Sequence, residues 1–240
     1  MNLQEVLKQS SNLAGSSPTP HRKKWFSKWW VILIFVILFI LLVLAVALSF
    51  AVYDEIKNMD KPTGIDLTNQ PIVPVSADDD PSRGPEDAKV IIIAFEDFEC
   101  SYCEESYPVI KELLLTYKNQ IRFVFRDFPA LENSQKVHEA AECTDDQGRF
   151  WAMYDKIFEN QDNLTVLDLK NYAEEIGLDA VSFADCLDSG KYEKEVQKDL
   201  TDGFVAGVSG TPTWFINGRK FAGAIPLETF KQIIDHYLKE

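Results

Sequence analysis

Between Trp29 and Tyr53 the chain reads WWVILIFVILFILLVLAVALSFAVY, 25 positions without a charged side chain. At a rise of about 1.5 Å per residue, a helix of that length crosses the ~30 Å hydrocarbon core of a bilayer with residues to spare. A buried helix of a water-soluble domain seldom stays apolar on every face for so long, so a transmembrane helix over 29–53 is expected. The flanks give its direction. Lys8, Arg22, Lys23, Lys24 and Lys28 precede it against one acid, Glu5, whereas Asp54 and Glu55 follow it. Basic flanks stay on the cytoplasmic side, which puts a cytoplasmic tail at 1–28 and everything beyond Tyr53 outside. Trp25, Trp29 and Trp30 suit the interfacial aromatic belt. Ala45 to Ala47 resembles a cleavage site, but the apolar run exceeds the roughly 7–15 residues of a signal peptide, which favours an uncleaved anchor.

The charge is unevenly shared. The whole chain carries −14 at neutral pH, while its first 30 residues hold five bases and one acid, leaving −18 on the remainder. So acidic a segment repels nucleic acid and anionic headgroups, and nucleic acid is discounted as a partner. Residues 54–84 mix scattered Pro and Gly with the acidic run Asp78–Asp80 and read as an extracytoplasmic linker, the three acids as a solvated loop.

From Pro85 onward the pattern becomes globular. KVIIIAF (Lys89–Phe95) is a continuous apolar run, as in a central strand covered on both faces. CEESYPVIKELLLTYKN has helical spacing through Val109, Leu113 and Tyr117, with Pro108 expected to bend it. IRFVFRDFP reads as a second strand, so the three elements form a βαβ unit with a parallel pair. About 134–206 contains no strand pattern and reads as a helical insert. TPTWFIN and RKFAG then flank Asn217–Gly218, a strong hairpin signal. A last amphipathic helix starts at Pro226 and turns Phe230, Ile233, Ile234 and Tyr237 inward. The domain at 85–240 is therefore α/β, in the order βαβ, helical insert, ββα.

Two of the four cysteines, Cys100 and Cys103, stand two residues apart where the first strand gives way to a helix. Outside the cytosol and inside a βαβ unit, that spacing points to a redox dithiol. The start of a helix offers unpaired N–H groups and the positive end of the dipole; both favour thiolate, the attacking species. Cys100 is thus the candidate nucleophile, and Cys103, one turn on, the thiol that resolves a mixed disulfide. A zinc site needs four ligands, but there is no second Cys-X-X-Cys and His21, His138 and His236 have no ligand-like spacing. No metal and no cofactor are expected. Pro212 stands at the mouth of a strand, where proline is normally unwelcome; a cis Thr211–Pro212 bond would explain it, and a trans proline opening an edge strand is the alternative.

Together GPEDAKVIIIAFEDFECSYC, FRDFP, EAAECTDDQGRFWAMYDKIF and GVSGTPTWFING make the chain from about Asp79 resemble the DsbA-like, thioredoxin-fold disulfide oxidoreductases. The resemblance implies that Cys100 exchanges with substrate, that the loop of Thr211 and Pro212 lies against the pair, and that Thr211 bonds substrate backbone. It implies reduced or unfolded secreted proteins as substrates and a membrane partner of DsbB or VKOR type for reoxidation. The family's usual buried acid, six residues before the first cysteine, is here Ala94; Glu96 shares its strand face and is the substitute proton relay. Equally, Glu96, Asp97 and Glu99 form a solvated acidic lip, which would raise the pKa of Cys100. With no histidine between the cysteines, this predicts a less oxidising couple than the family prototype.

Cys143 and Cys186 remain, 43 positions apart in predicted helices of the insert; an even count outside the cytosol favours a structural disulfide, with two separate buried thiols as the alternative. Phe150 and Trp151 read as core, and Trp214 as either core or the lining of a substrate groove. Asn163-Leu164-Thr165 fits a glycosylation sequon, a frequent chance match. An isomerase or reductase, or a non-enzymatic binding module with idle thiols, remains an alternative to disulfide formation.

Overall fold

A computed structural model describes residues 26–59, 71–77 and 79–240. The chain divides into two units, Met1–Lys61 and Pro62–Glu240. In the first, helix α1 (Phe26–Met59) contains the apolar run, and its Lys28–Asp54 stretch, of mean hydropathy 3.7, is long and apolar enough to cross a membrane. The helix runs on past Tyr53, so its last turn and a half lies within the expected linker. The expected tail lies outside the described residues up to position 25.

The second unit is built on a five-stranded sheet of β1 (Ser82–Arg83), β2 (Val90–Glu96), β3 (Ile121–Asp127), β4 (Thr213–Ile216) and β5 (Arg219–Ala222), in the order β1-β3-β2-β4-β5. β2 and β3 are parallel, with Ile92 opposite Phe123 and Glu96 opposite Asp127; the other pairings are antiparallel. α2 (Ser101–Tyr117) joins β2 to β3 and keeps Pro108 in its interior. The hairpin turns on Asn217 and Gly218, both at positive φ, the geometry a two-residue turn requires. α8 (Leu227–Lys239) begins after Pro226 and buries Phe230, Ile233, Ile234 and Tyr237.

The unbroken apolar run of β2 is explained by cover on both faces. Val90, Ile92 and Ala94 join the larger core with α2, α8 and the insert, whereas Ile93 and Phe95 meet Val124, Phe128, Val208 and Phe215 on the other side. The insert consists of α3 (Gln135–Asp145), α4 (Phe150–Phe158), α5 (Val166–Glu175), α6 (Ala180–Ser189) and α7 (Glu193–Val205). Thr165 caps α5 through a reciprocal box with Asp168, and Asp179 caps α6 by accepting from Ser182 N–H. Cys143 of α3 and Cys186 of α6 form the expected disulfide, with Cα atoms 5.9 Å apart.

The linker boundary needs correction. Residues 71–77 and 79–83 are not a free tether but a strap laid on the second face of the sheet. Ile72 bridges to Arg219, Val73 N–H donates to Gly218 at 2.8 Å, and Val73, Val75 and Ala77 pack on the smaller core. Phe125 N–H then donates to Pro81 at 3.0 Å, and Ser82–Arg83 pairs with β3 as the edge strand. Asp80, read as part of a solvated loop, buries its side chain beside Arg126, with Oδ2 3.0 Å from its Nε. Arg126 also holds Asp199 and Asp202 of α7 and donates to the Ser76 carbonyl. A composition rich in Asp, Ser and Pro conceals this role, because the strap packs on the smaller core through short side chains such as Val73, Val75 and Ala77.

Candidate active site

The site lies where β2 ends. Glu96 and Asp97 are fully buried, Glu99 and Cys100 partly so. Asp97 organises the turn that follows. Its Oδ1 accepts from Glu99 N–H at 2.9 Å, and its Oδ2 accepts from Ala130 N–H at 2.7 Å, Leu131 N–H at 2.9 Å and Ser134 Oγ at 3.1 Å. Burial alone would raise the Asp97 pKa, but His138 and these N–H groups outweigh it and hold the carboxyl below its ordinary value. The turn closes with Cys100 N–H donating to the Asp97 carbonyl at 3.0 Å.

Cys100 then caps α2 from an extended conformation, so its sulfur faces the open start of the helix. Its thiol donates to the Thr211 carbonyl at 3.3 Å, across a loop in which the Thr211–Pro212 bond is cis. Cys103 is wholly buried one turn on, and both sulfurs are free thiols. The Cys103 thiol bonding to Cys100 is the largest influence on the nucleophile. Half-burial opposes it, but the Thr211 side chain and the N–H groups of Cys103 and Tyr102 add to it, bringing Cys100 down to about 5. Burial does the reverse to Cys103, whose pKa is raised. One sulfur is therefore a thiolate at neutral pH and the other a thiol.

The structure overturns the solvated acidic lip and its effect on Cys100. Two of the three acids point inward, and the helix start, not a ring of carboxylates, sets the sulfur's surroundings. Glu96 lies on the same face as Ala94, as strand parity requires, and its Oε2 accepts from Tyr154 Oη of α4 at 3.0 Å. Its Oε1 finds no partner among the described residues. Burial pushes the carboxyl up to about 8, against the opposing bond from Tyr154. Glu96 is thus a neutral acid at pH 7, and once ionised its charge raises the pKa of the Cys103 thiol.

Sequence reasoning missed three participants. His138 of α3 is fully buried, with Nδ1 2.5 Å from Asp127 Oδ1 and Nε2 3.4 Å from the backbone nitrogen of Phe98. Burial would lower its pKa, but Asp127 and then Asp97 outweigh it and push it up to about 9. Tyr154 and Gln161 also come from the insert; a helix far away in sequence carries no local signal that it touches a strand end. Trp214 resolves to core: it is buried, its indole N–H donates to Gly223 at 2.9 Å and its ring meets Phe230 edge-on. Phe150 is buried and Trp151 packs beside it, as expected.

A mixed sheet flanked by helices, a Cys-X-X-Cys pair at a helix start and a cis-proline loop against it define a thioredoxin-like protein with a helical insert. The architecture is similar to the thiol-disulfide exchange protein α-DsbA2 of Wolbachia pipientis, at 23% identity and TM-score 0.59, covering 65% of this chain and 86% of that one. It is similar also to oxidised BdbD of Bacillus subtilis, at 20% identity and TM-score 0.64, covering 71% and 98%. A family model described as "Thioredoxin" matches residues 76–236, and the chain belongs to that family. A relative named Na(+)/H(+) antiporter NhaA 3, from Salinispora tropica, is 37% identical over 166 residues, 68% of this chain. The chain spans about a quarter of the length of the curated relatives it matches (25% of that one).

Proposed function

We propose that the chain is a membrane-anchored thiol–disulfide oxidoreductase whose domain faces the outside of a bacterial cytoplasmic membrane and forms disulfides in secreted or surface proteins. The observation that carries this reading is the contrast between the two sulfurs: Cys100 is accessible and favoured as thiolate, while Cys103 is sealed beneath it. In the oxidised protein the pair is a disulfide. A substrate thiolate attacks Cys100 Sγ, the Cys100–Cys103 bond breaks, and Cys103 leaves with the electron pair. The proton it needs comes from Glu96, a buried acid that is neutral at pH 7. A second substrate thiolate then attacks the substrate sulfur of the mixed disulfide and releases Cys100 as thiolate. Two electrons have passed to the protein, and a membrane partner of DsbB or VKOR type takes them on.

Thr211, next to the nucleophile, supplies backbone groups for the substrate chain, and Pro212 keeps that loop against the pair. Anchoring rests on α1 and on the basic residues that precede it, which keep the N-terminus in the cytoplasm. The test mixes the oxidised chain in detergent with a reduced, unfolded substrate containing two thiols. The native protein should produce substrate disulfide and Cys100→Ala none, while reduced Cys103→Ala, offered the same substrate in its disulfide form, should give through Cys100 attack on that disulfide a covalent adduct that dithiothreitol releases. If Cys100→Ala leaves substrate oxidation unchanged, or if Cys103→Ala forms no adduct, the assignment fails.

A further inference from the structure

The turn carrying Cys100 is held from below by Asp97, but it is also held from the side by the insert. Gln161, just beyond the end of α4, reaches back with its amide nitrogen. Nε2 donates to the Phe98 carbonyl at 2.8 Å and to the Cys100 carbonyl at 3.0 Å. A carboxamide nitrogen has two hydrogens, and these contacts use both. They bracket the three residues that lead into α2. Phe98 is further gripped by its ring, which lies 5.0 Å from Phe125, 4.8 Å from His138 and 5.2 Å from Phe158.

The second carbonyl has a special place. It is the first acceptor of α2, receiving Cys103 N–H and Glu104 N–H, each at 3.0 Å. It also belongs to the first peptide unit of the helix start that faces the sulfur. A donor on that oxygen polarises the peptide and strengthens the hydrogen-bonded turn around it. The other groups acting on Cys100 come from elsewhere: Cys103 and the N–H of Tyr102 from α2, Thr211 from the cis-proline loop, and Glu96 from β2. Gln161 is the insert's direct hydrogen bond to the Cys100 backbone.

We propose that Gln161 is a positioning residue for the exchange reaction: through two backbone carbonyls, the insert fixes the turn that presents Cys100 and so sets its reactivity. This rests on the thiol–disulfide exchange reading above. It gives the insert a part in the chemistry in addition to packing. The choice of side chain follows. A shorter amide does not span both carbonyls, and a carboxylate would turn oxygens toward oxygens and bring negative charge toward the thiolate.

The test uses the full chain in detergent, with Gln161→Ala, the isosteric Gln161→Glu, and Asn163→Ala as a variant of the same loop. Thiolate absorbance near 240 nm against pH gives the Cys100 pKa, equilibrium with glutathione gives the potential, and thermal unfolding reports folding. Gln161→Ala should raise the thiolate pKa by about one unit, a tenfold loss of thiolate at a fixed pH below it. Destabilising the thiolate destabilises the dithiol form, so the potential should become more negative by about 30 mV, that tenfold factor converted for two electrons. Gln161→Glu should shift both further and Asn163→Ala neither. A lower melting temperature with unchanged pKa and potential in both Gln161 variants would make the residue structural only and overturn the inference. If the native chain oxidises no substrate but the pKa still shifts, the proposed function fails while the placing of Gln161 stands.

Discussion

Glu96→Gln separates a buried neutral acid from an ordinary surface carboxylate. In the folded chain its pKa is pushed up to about 8, against an ordinary value of 4.5. Between those values the unfolded chain has released the proton and the folded one retains it. The unfolded state then binds fewer protons, so stability falls as pH rises. Each pH unit in that window costs about 1.4 kcal/mol, which gives ~3 kcal/mol by pH 7 and ~5 kcal/mol above pH 8. Gln cannot ionise and loses this dependence. Its carbonyl can still accept from Tyr154, while its amide nitrogen, like Oε1, is left unpartnered, so any remaining offset is independent of pH. Asp80 and His138, both pushed up to about 9, add their own alkaline losses to both proteins. His138 contributes stability that is complete below its ordinary 6.5 and disappears as pH rises through 9. The quantity to read is therefore the variant minus the native protein. Urea midpoints followed by circular dichroism from pH 4 to 9, with Cys100 and Cys103 reduced and the Cys143–Cys186 bridge intact, would supply it. The difference should climb in favour of Gln by ~3 kcal/mol between pH 4.5 and 7. Parallel curves would mean that Glu96 ionises as it does in the unfolded chain, and its role as proton donor to Cys103 would be lost with that result.

Removing the insert's bridge with Cys143→Ser and Cys186→Ser frees a loop of 43 positions and should lower stability by ~4 kcal/mol in the chain-entropy model, read as a shift in the urea midpoint. With Cys100 and Cys103 reduced, the protein should show two titratable thiols after denaturation without further reductant, and four would contradict the bridge. Arg126→Leu leaves Asp199 buried without its cation and Asp80 without its partner and should cost about 3–5 kcal/mol, with protease cleavage appearing first in the strap. Gly203→Ala would put a methyl 2.6 Å from the Phe128 ring and 3.1 Å from Phe95, and should destabilise by about 1–3 kcal/mol with no change in the Cys100 pKa; an unaltered melting temperature would refute the packing.

Local pattern carried much of this fold. The apolar run of β2, the Asn-Gly hairpin and the inward face of α8 are all short-range signals, and each element stands where its pattern places it. The cysteine pair was legible for the same reason, since its spacing and the helix start lie in one stretch. What escaped was decided by contacts between distant segments. α7 is hard to read because the residues it buries are Val196, Asp199 and Gly203, two of which no hydrophobic pattern would mark. Asp97 reads as a surface acid until Ala130, Leu131 and Ser134 arrive to satisfy it. The state of Glu96 depended on cover from Tyr154, 58 positions away. Charge in a sequence says nothing about solvent; the partners decide.

The strap over the second face of the sheet bears on how the extramembrane part can be handled. A cut at Pro85, where the composition turns globular, would strip Val73, Val75 and Ala77 from Ile93, Phe95, Val124 and Phe215, and leave Arg126 without Asp80. The shortened product would present a bare apolar sheet face and an unguarded β3 edge to other molecules, an invitation to self-association. A recombinant fragment that keeps its first residue upstream of Pro71 should stay monomeric where the shorter one precipitates.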